Sequence, residues 1–348
     1  HASSVQLASD APTRLVYVVS TKDQTMHLAH EVSIKGSQDN GLPVDELTYI
    51  DATSGAVVDR HSKVYYARNR EVRNANFQSS FGSIVRTEGS AATGNQVFDK
   101  DYDYLGAVYG YYNTICGRDS FDAAGGKLVG VTNFRSSSGV NYNNAFWHSS
   151  YAQMFFGDGD GVTFSNLALS LDVTAHEITH GVTERTSGLI YANEPGALNE
   201  AWSDIMAAAC EAWSRGVVDE NTWKVGEDIY TPGVVGDALR YMGSPRQDGI
   251  SPDYYPERVV IGINESPSSS NDNGGVHKNS GIANLAFKLL VTGGRHPRAG
   301  QLSGATGQAI PQTLVPAIGM DKAQRIFYRA MAVYMGMGAH FIDARAAT

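Results

Sequence analysis

His176, Glu177 and His180 stand in the order H-E-x-x-H within residues 171–187, LDVTAHEITHGVTERTS. At about 100° per residue, helical positions four apart lie one turn above each other, so the two imidazoles share a face at a spacing that one metal ion can bridge. The apolar residues beside them read as one buried helix. Zinc suits such a set because it is borderline-soft, accepts imidazole nitrogen with carboxylate oxygen, and in catalytic sites keeps one position for water. Glu177 sits beside the pair, where it can take that water's proton. The plainer alternative is two histidines packed on a core helix, and a third ligand decides between them.

Residues 199–204, NEAWSD, offer that ligand. Between His180 and Glu200 there is room to finish the first helix, cross a loop at residues 188–196 and start a second helix facing the first. Glu200 and Asp204 are again one turn apart. Glu200 then completes a His, His, Glu set, and Asp204 can accept the outward N–H of a ligand histidine, fixing its tautomer. Asn199 joins Asp204 as a supporting neighbour. The competing explanation is an acidic helix start, where carboxylates favour the dipole. After H-E-x-x-H at this spacing, the ligand reading is preferred.

HEITH, followed by GLIYANEPGALNEAWSD, GEDIYTPGVVGDALRYM and NDNGGVHKNSGIANLAF, closely resembles the thermolysin-like neutral metalloproteases. NYNNAFWHSSYAQMFFGDGDG upstream fits the same family, and the resemblance runs in order from about Tyr102 to the C-terminus. It implies an α+β fold of two lobes: a β-rich N-terminal lobe, a central helix carrying H-E-x-x-H, and a mainly α-helical C-terminal lobe that stops short. A small β-rich remnant of a propeptide precedes them. The implied boundaries are 1–66 for the propeptide part, 67–187 for the N-terminal catalytic lobe and 188–348 for the helical lobe.

The same resemblance implies roles. Glu177 would be the general base, and Tyr191 and His277 the donors to the charge that grows on a peptide carbonyl under attack. Asp272, five residues before His277, would accept from its ring and favour its protonated form. Arg240 matches a residue that grips a substrate carbonyl, and Asn144 and Ala145 match a strand that pairs with an extended peptide. Leu167, Val173, Ile229 and Leu239 match the lining of a pocket for the side chain just after the scissile bond. Filling it is worth roughly 1.5 to 3 kcal/mol, a preference but not a strict rule. Asp172, Glu211 and Glu227 match interior calcium ligands, hard oxygens whose repulsion a cation relieves. The match is incomplete, because Thr222 stands where an Asp should precede Trp223, with Asp219 or Glu220 as substitutes; one ion is expected, not two. Tyr230, Thr231, Val234 and Asp237 match a separate calcium loop.

The rest of the chain supplies the frame. With 348 residues, 42% hydrophobic and 18% charged, it can bury more than one core. A net charge of −9 without a dense acidic run argues against nucleic acid, and no apolar stretch reaches the length that spans a bilayer. Cys116 and Cys210 cannot make a disulfide scaffold and are read as free, buried thiols. Residues 14–20 and 47–50 have strand composition around the turn DATSGAVV, and His27, His30 and His61 read as surface histidines. Residues 67–76, ARNREVRNAN, read as an exposed, cleavable linker. Leu105, Val108, Tyr109 and Tyr112 recur at helical spacing, residues 128–134 look like a strand leading to an edge strand at 141–147, and DGDG at 158–161 reads as a tight turn. Residues 279–290 and 320–335 have the periodicity of packed helices. If the helical lobe does stop short, it should leave an apolar face exposed.

Three functional classes remain. The favoured one is a secreted, monomeric zinc endopeptidase with structural calcium, acting on proteins or peptides and partnered by its own propeptide. A metzincin requires a Gly and a third His where Thr183 and Thr186 stand, and an aminopeptidase requires an acidic anchor for a free amino terminus, for which the sequence offers no motif. The non-enzymatic alternative is a zinc-bound but inactive, or propeptide-locked, secreted protein.

Overall fold

The computed structural model describes residues 4–7, 13–20, 25–37, 43–62, 68–137 and 139–348. These fall into two compact units, His1–Ala67 and Arg68–Thr348.

The first unit is one antiparallel sheet of β1 (Ser4–Leu7), β2 (Arg14–Val19), β3 (Met26–Ser37), β4 (Pro43–Asp51) and β5 (Val57–Ser62). β3 is long enough to pair with β4 along one edge and with β2 and then β1 along the other. Strand alternation splits β2: Val16 and Val18 pack with Ala29, Tyr49 and Val58, while Leu15, Tyr17 and Val19 stay exposed. Asp51 closes the β4–β5 turn by accepting from the N–H groups of Thr53 and Ser54. His30 is exposed, His27 is half-buried with Nδ1 3.3 Å from Asp51, and the side chain of His61 lies outside the described residues.

The second unit opens with β6 (Arg70–Asn74), β7 (Ser83–Thr87), α1 (Gln96–Cys116), β8 (Leu128–Phe134), β9 (Ala145–His148) and β10 (Gln153–Gly157). The strands form a sheet in the order β7-β6-β8-β10-β9, which leaves β9 on an edge. The linker expected at residues 67–76 is corrected here. Arg70–Asn74 is an interior strand, and Arg70 and Glu71 are only 5% and 4% exposed. Their charges are neutralised locally: Arg70 forks onto Glu88 at 2.6 Å through two nitrogens, and Glu71 accepts from Arg73 and Lys127. Charged residues enter an interior when paired this way, which composition alone does not reveal.

α1 starts at Asn95, whose side chain accepts from the N–H groups of Val97 and Phe98, and ends at Gly117 in the left-handed conformation. It buries Leu105, Val108, Tyr111 and Tyr112, and the Tyr112 hydroxyl meets Thr179 at 2.6 Å. That contact lands on α2 (Leu171–Glu184), a helix buried all round except at His180 and Glu184, as a core helix should be. α3 (Asn193–Arg215) begins before the expected loop end at residue 196 and is capped by left-handed Gly216. A short connection between two helices makes antiparallel neighbours, so one turn forward on α2 matches one turn back on α3.

β11 (Lys224–Val225) and β12 (Arg240–Tyr241) pair in a small ribbon, followed by α4 (Asp272–Thr292), α5 (Met320–Arg329), a π-helical turn at Ala330–Tyr334 and α6 (Phe341–Ala347). Trp202 of α3 anchors this lobe. Its ring lies 5.1 Å from that of Phe327, which meets Phe287 at 5.0 Å, and its Nε1 donates to the Phe327 carbonyl at 2.8 Å. Burying each such side chain contributes roughly 1.5 to 3 kcal/mol. Both cysteines are free; Cys210 is buried and Cys116 half-buried. Val333, Tyr334, Met337 and Ile342 are exposed near the C-terminus. Among the described residues, no helix is long and apolar enough to cross a membrane.

Candidate active site

The α2–α3 pair brings the expected ligands together. His176 and His180 face each other with their Nε2 atoms 3.0 Å apart, and the Glu200 oxygens lie 3.4 and 3.5 Å from those nitrogens. One ligand atom from each of the three residues falls within 4.8 Å of the others. Both outer ring nitrogens are already committed: His176 Nδ1 to Asp204 at 2.9 Å and His180 Nδ1 to Asn199 at 2.7 Å. That turns both Nε2 atoms inward. Glu200 Oε2 is buried and has no hydrogen-bond partner. Two converging nitrogen lone pairs and an orphaned carboxylate oxygen are costly unless a cation accepts them, and the donor types suit zinc.

Burial and neighbouring charges perturb these same groups strongly. Burial opposes a charge on His176, but Asp204 and Glu200 override it and push its pKa up to about 10. His180 goes the other way, lowered by burial and by neighbouring His176 despite Glu200. Burial would raise Glu200, yet His277 and His176 hold it well below the usual carboxylate range. Asp204 is likewise held low against its burial by Arg240 and His176.

The ligand set forms one wall of a cavity of 480 Å³. Asn144 and Ala145 lie along it on the β9 side, and Leu167, Val173, Ile229 and Leu239 line it together with Phe164 and Val225. Glu177, Tyr191, Arg240 and His277 also face it. The Tyr191 hydroxyl donates to Glu200 and lies 3.1 Å from His277 Nε2. Burial and Glu200 raise the Tyr191 pKa, keeping its proton on. His277 Nδ1 meets Asp272 at 2.5 Å. Burial opposes its charge, but Glu200 and Asp272 raise its pKa. Asp272 can face back because the first residues of α4 are left-handed, with φ from 46° to 85° over residues 272–275. A Cβ on Gly274 would come 2.2 Å from the Asn193 side chain, so glycine is needed there twice over.

Arg240 differs from expectation in how it is held. It faces the cavity, yet its Nε and Nη2 both donate to Asp204, at 2.9 and 2.6 Å. Two participants escaped the sequence reading. Asn284 donates to Asp204 at 2.8 Å, and Glu184 accepts from the Trp147 indole at 2.9 Å. Asn284 lies two helical turns after His277, so its inward polar side chain was a signal that the periodicity contained.

The acidic cluster lies apart from the cavity lining. Burial raises Asp172, with Asp228 adding to it; burial and Asp172 push Glu211 up to about 7, and burial with Asp172 and Glu211 pushes Glu227 up to about 9. Glu211 Oε2 and Glu227 Oε2 are buried without hydrogen-bond partners and suit a hard cation, whereas the Asp172 oxygens accept from Ser170, Val173 and Gly226. Among the described residues, however, only the His, His, Glu set gathers three ligand atoms within 4.8 Å. Asp219, a possible substitute for the Asp missing at Thr222, is taken by Arg215 and by the N–H groups of Asn221 and Thr222. In the second loop Thr231 donates to Asp237, whose other oxygen is buried without a partner, and Val234 N–H donates to the Thr231 carbonyl; Tyr230 stands beside them. The DGDG aspartates are satisfied by protein donors, Asp158 by Arg135 and Asn141, Asp160 by Asn143 and three backbone N–H groups.

Residues 24–184 match the thermolysin metallopeptidase catalytic domain, and residues 187–348 match the thermolysin metallopeptidase alpha-helical domain. The chain is 34% identical to a bacillolysin of Bacillus caldolyticus over 97% of its own length and 64% of that protein's. It is 41% identical to a bacillolysin of Bacillus cereus over 85% of its own length and 45% of that protein's. It therefore spans about two thirds or less of these relatives. The precursor of protealysin, a metalloproteinase from Serratia proteamaculans, superimposes with a TM-score of 0.62 at 30% identity, covering 82% of each chain. Two matched domains meeting between the helices that carry His180 and Glu200, with a solved relative covering 82% of the chain, lead to one conclusion: this chain belongs to the thermolysin family of metallopeptidases.

Proposed function

We propose that the chain is a secreted zinc-dependent endopeptidase that prefers large apolar residues just after the scissile bond. The observation carrying this is the convergence of His176, His180 and Glu200 on one wall of a cavity that Glu177 also faces. Zinc held by those three residues supplies Lewis acidity toward water and the peptide carbonyl. Glu177 takes the proton of the attacking water and passes it to the departing amine. Tyr191 and His277 donate to the oxygen on which negative charge grows. Asp272 keeps the His277 ring oriented, and Asp204 and Asn199 hold the ligand imidazoles.

An extended peptide lies along the free edge of β9, beginning at Asn144 and Ala145. Its next side chain enters the apolar pocket of Leu167, Val173, Ile229 and Leu239. Arg240 presents its remaining nitrogen to a substrate carbonyl while anchored on Asp204. Asp172, Glu211 and Glu227 hold a structural calcium ion, with a second loop at Tyr230, Thr231, Val234 and Asp237. The first unit is the last part of a propeptide, and the domain division is read as propeptide, N-terminal catalytic lobe and helical lobe. The purified protein is expected to be a monomer.

The test is zinc content and casein cleavage of the purified chain beside Glu177→Gln. Cleavage that is lost in the variant while zinc stays bound supports the reading. Equal cleavage in both sinks it. A peptide library preferring charged residues after the scissile bond removes the specificity claim alone.

A further inference from the structure

The pairing of β9 with β10 determines which of its backbone groups are free. Gly157 N–H donates to the Asn144 carbonyl at 2.9 Å, and the register sets Ala145 opposite Phe156 and Trp147 opposite Met154. Antiparallel pairs alternate between those that exchange hydrogen bonds and those that do not. Because Asn144 bonds inward, Ala145 and Trp147 turn their N–H and C=O groups away from β10. Both residues line the cavity.

The Trp147 side chain goes to the ligand-bearing helix. Its Nε1 donates to Glu184 Oε2 at 2.9 Å, and its ring lies over Gly181, where a Cβ would come within 2.8 Å of Cζ2. Phe121 packs on the same indole with ring centroids 5.1 Å apart. Gly181 follows His180 directly, and Glu184 lies one turn beyond it. One residue therefore offers its backbone to the cleft and its ring to α2, touching the helix on the turn that carries a metal ligand.

We infer that Gly181 and Glu184 are positioning residues: acting through Trp147, they set how far the free edge of β9 stands from the ligand set and so the register of a bound peptide over Glu177. The inference rests on the endopeptidase reading. Glu184 also lines the cavity, but in this account both residues act through the indole and not through substrate. Glu184 supplies the acceptor that holds the indole, and Gly181 supplies the gap in which the ring lies. A shifted indole moves the Trp147 backbone, and a peptide hydrogen-bonded to that backbone moves with it.

The test is steady-state cleavage of a blocked hexapeptide by the zinc-loaded full chain and by E184A, E184Q and G181A, with zinc content and melting temperature recorded for each. E184A and G181A should raise KM about tenfold, the scale of one lost hydrogen bond to a charged acceptor. Their kcat should stay within about twofold. E184Q, whose amide oxygen can accept the same indole N–H, should remain within about twofold of the parent. In a Glu177→Gln background, hexapeptide affinity should fall by the same factor for E184A, separating binding from turnover. G181A carries the test if E184A does not fold. An unchanged KM in both variants, or E184Q impaired as badly as E184A, overturns the inference while leaving the endopeptidase reading intact. An unmodified chain that neither cleaves nor binds the peptide overturns both.

Discussion

Arg240 commits two of its nitrogens to Asp204, and His176 Nδ1 and Asn284 meet the same carboxylate. A buried carboxylate engaged on every side fixes the ring of His176 from behind. Asp204→Ala leaves both the imidazole and the guanidinium unpaired, so zinc affinity is expected to fall about 10 to 100-fold. Asn284→Leu should act in the same direction with smaller size. Competition against a chromophoric chelator measures both, and unchanged affinity in D204A contradicts the expectation.

Glu177 lines the cavity beside the ligand pair without belonging to the ligand set. Glu177→Gln should therefore keep its zinc and lose about 10² to 10⁴ in kcat. Metal analysis paired with peptide turnover separates a lost base from a lost ion.

Tyr191 and His277 converge 3.1 Å apart on one side of the cavity. Tyr191→Phe should lower kcat about a hundredfold with KM little changed, as expected for a donor used mainly in the transition state. The His277 pKa is raised against burial by Glu200 and Asp272, so its acid form survives to higher pH than an ordinary imidazole's. Asp272→Asn removes one of those carboxylates and should move the alkaline limb of kcat/KM to lower pH. A limb that stays in place would assign it to another group.

Asp101 is fully buried on α1, neither of its oxygens has a partner, and burial raises its pKa well above the usual carboxylate range. The unfolded chain titrates this group near an ordinary pKa of about 3.9. The folded state holds its proton longer, so the cost of Asp101 grows as pH rises from there through the folded pKa, and none is incurred below it. Asp101→Asn should raise Tm by several degrees at neutral pH, and the gain should vanish in acid. A gain that is independent of pH would point to packing.

Glu227 and Glu211 repel each other and Asp172 when no cation lies among them. Glu227→Gln should be more stable than the parent in a calcium chelator and less stable in excess calcium. Thermal melts crossing between the two conditions check this. If calcium changes neither Tm nor self-digestion, the calcium assignment fails.

The α2–α3 ligand set and its cleft were legible because helical geometry turns residue spacing directly into side-chain proximity: a four-residue step puts His176 above His180 wherever the helix lies. Sequence alone could not show where charge is neutralised. Arg70 and Glu71 looked solvated in one dimension, yet Glu88, Lys127 and Arg73 pair them inside a sheet. Arg240 was expected to face substrate, and its tie to Asp204 spans 36 residues, a distance no local pattern encodes. The Trp147 and Glu184 contact was hidden for the same reason, because an edge strand meets a helix only in the folded chain.

The two matched domains meet between residues 184 and 187, and the ligand set straddles that seam, two imidazoles on one side and one carboxylate on the other. A resident ion is thus also a cross-link between the halves, adding about 2.7 kcal/mol of mass-action stability when free metal exceeds Kd a hundredfold. Loss of the ion would then loosen the packing of α2 against α3 along with removing the chemistry proposed above.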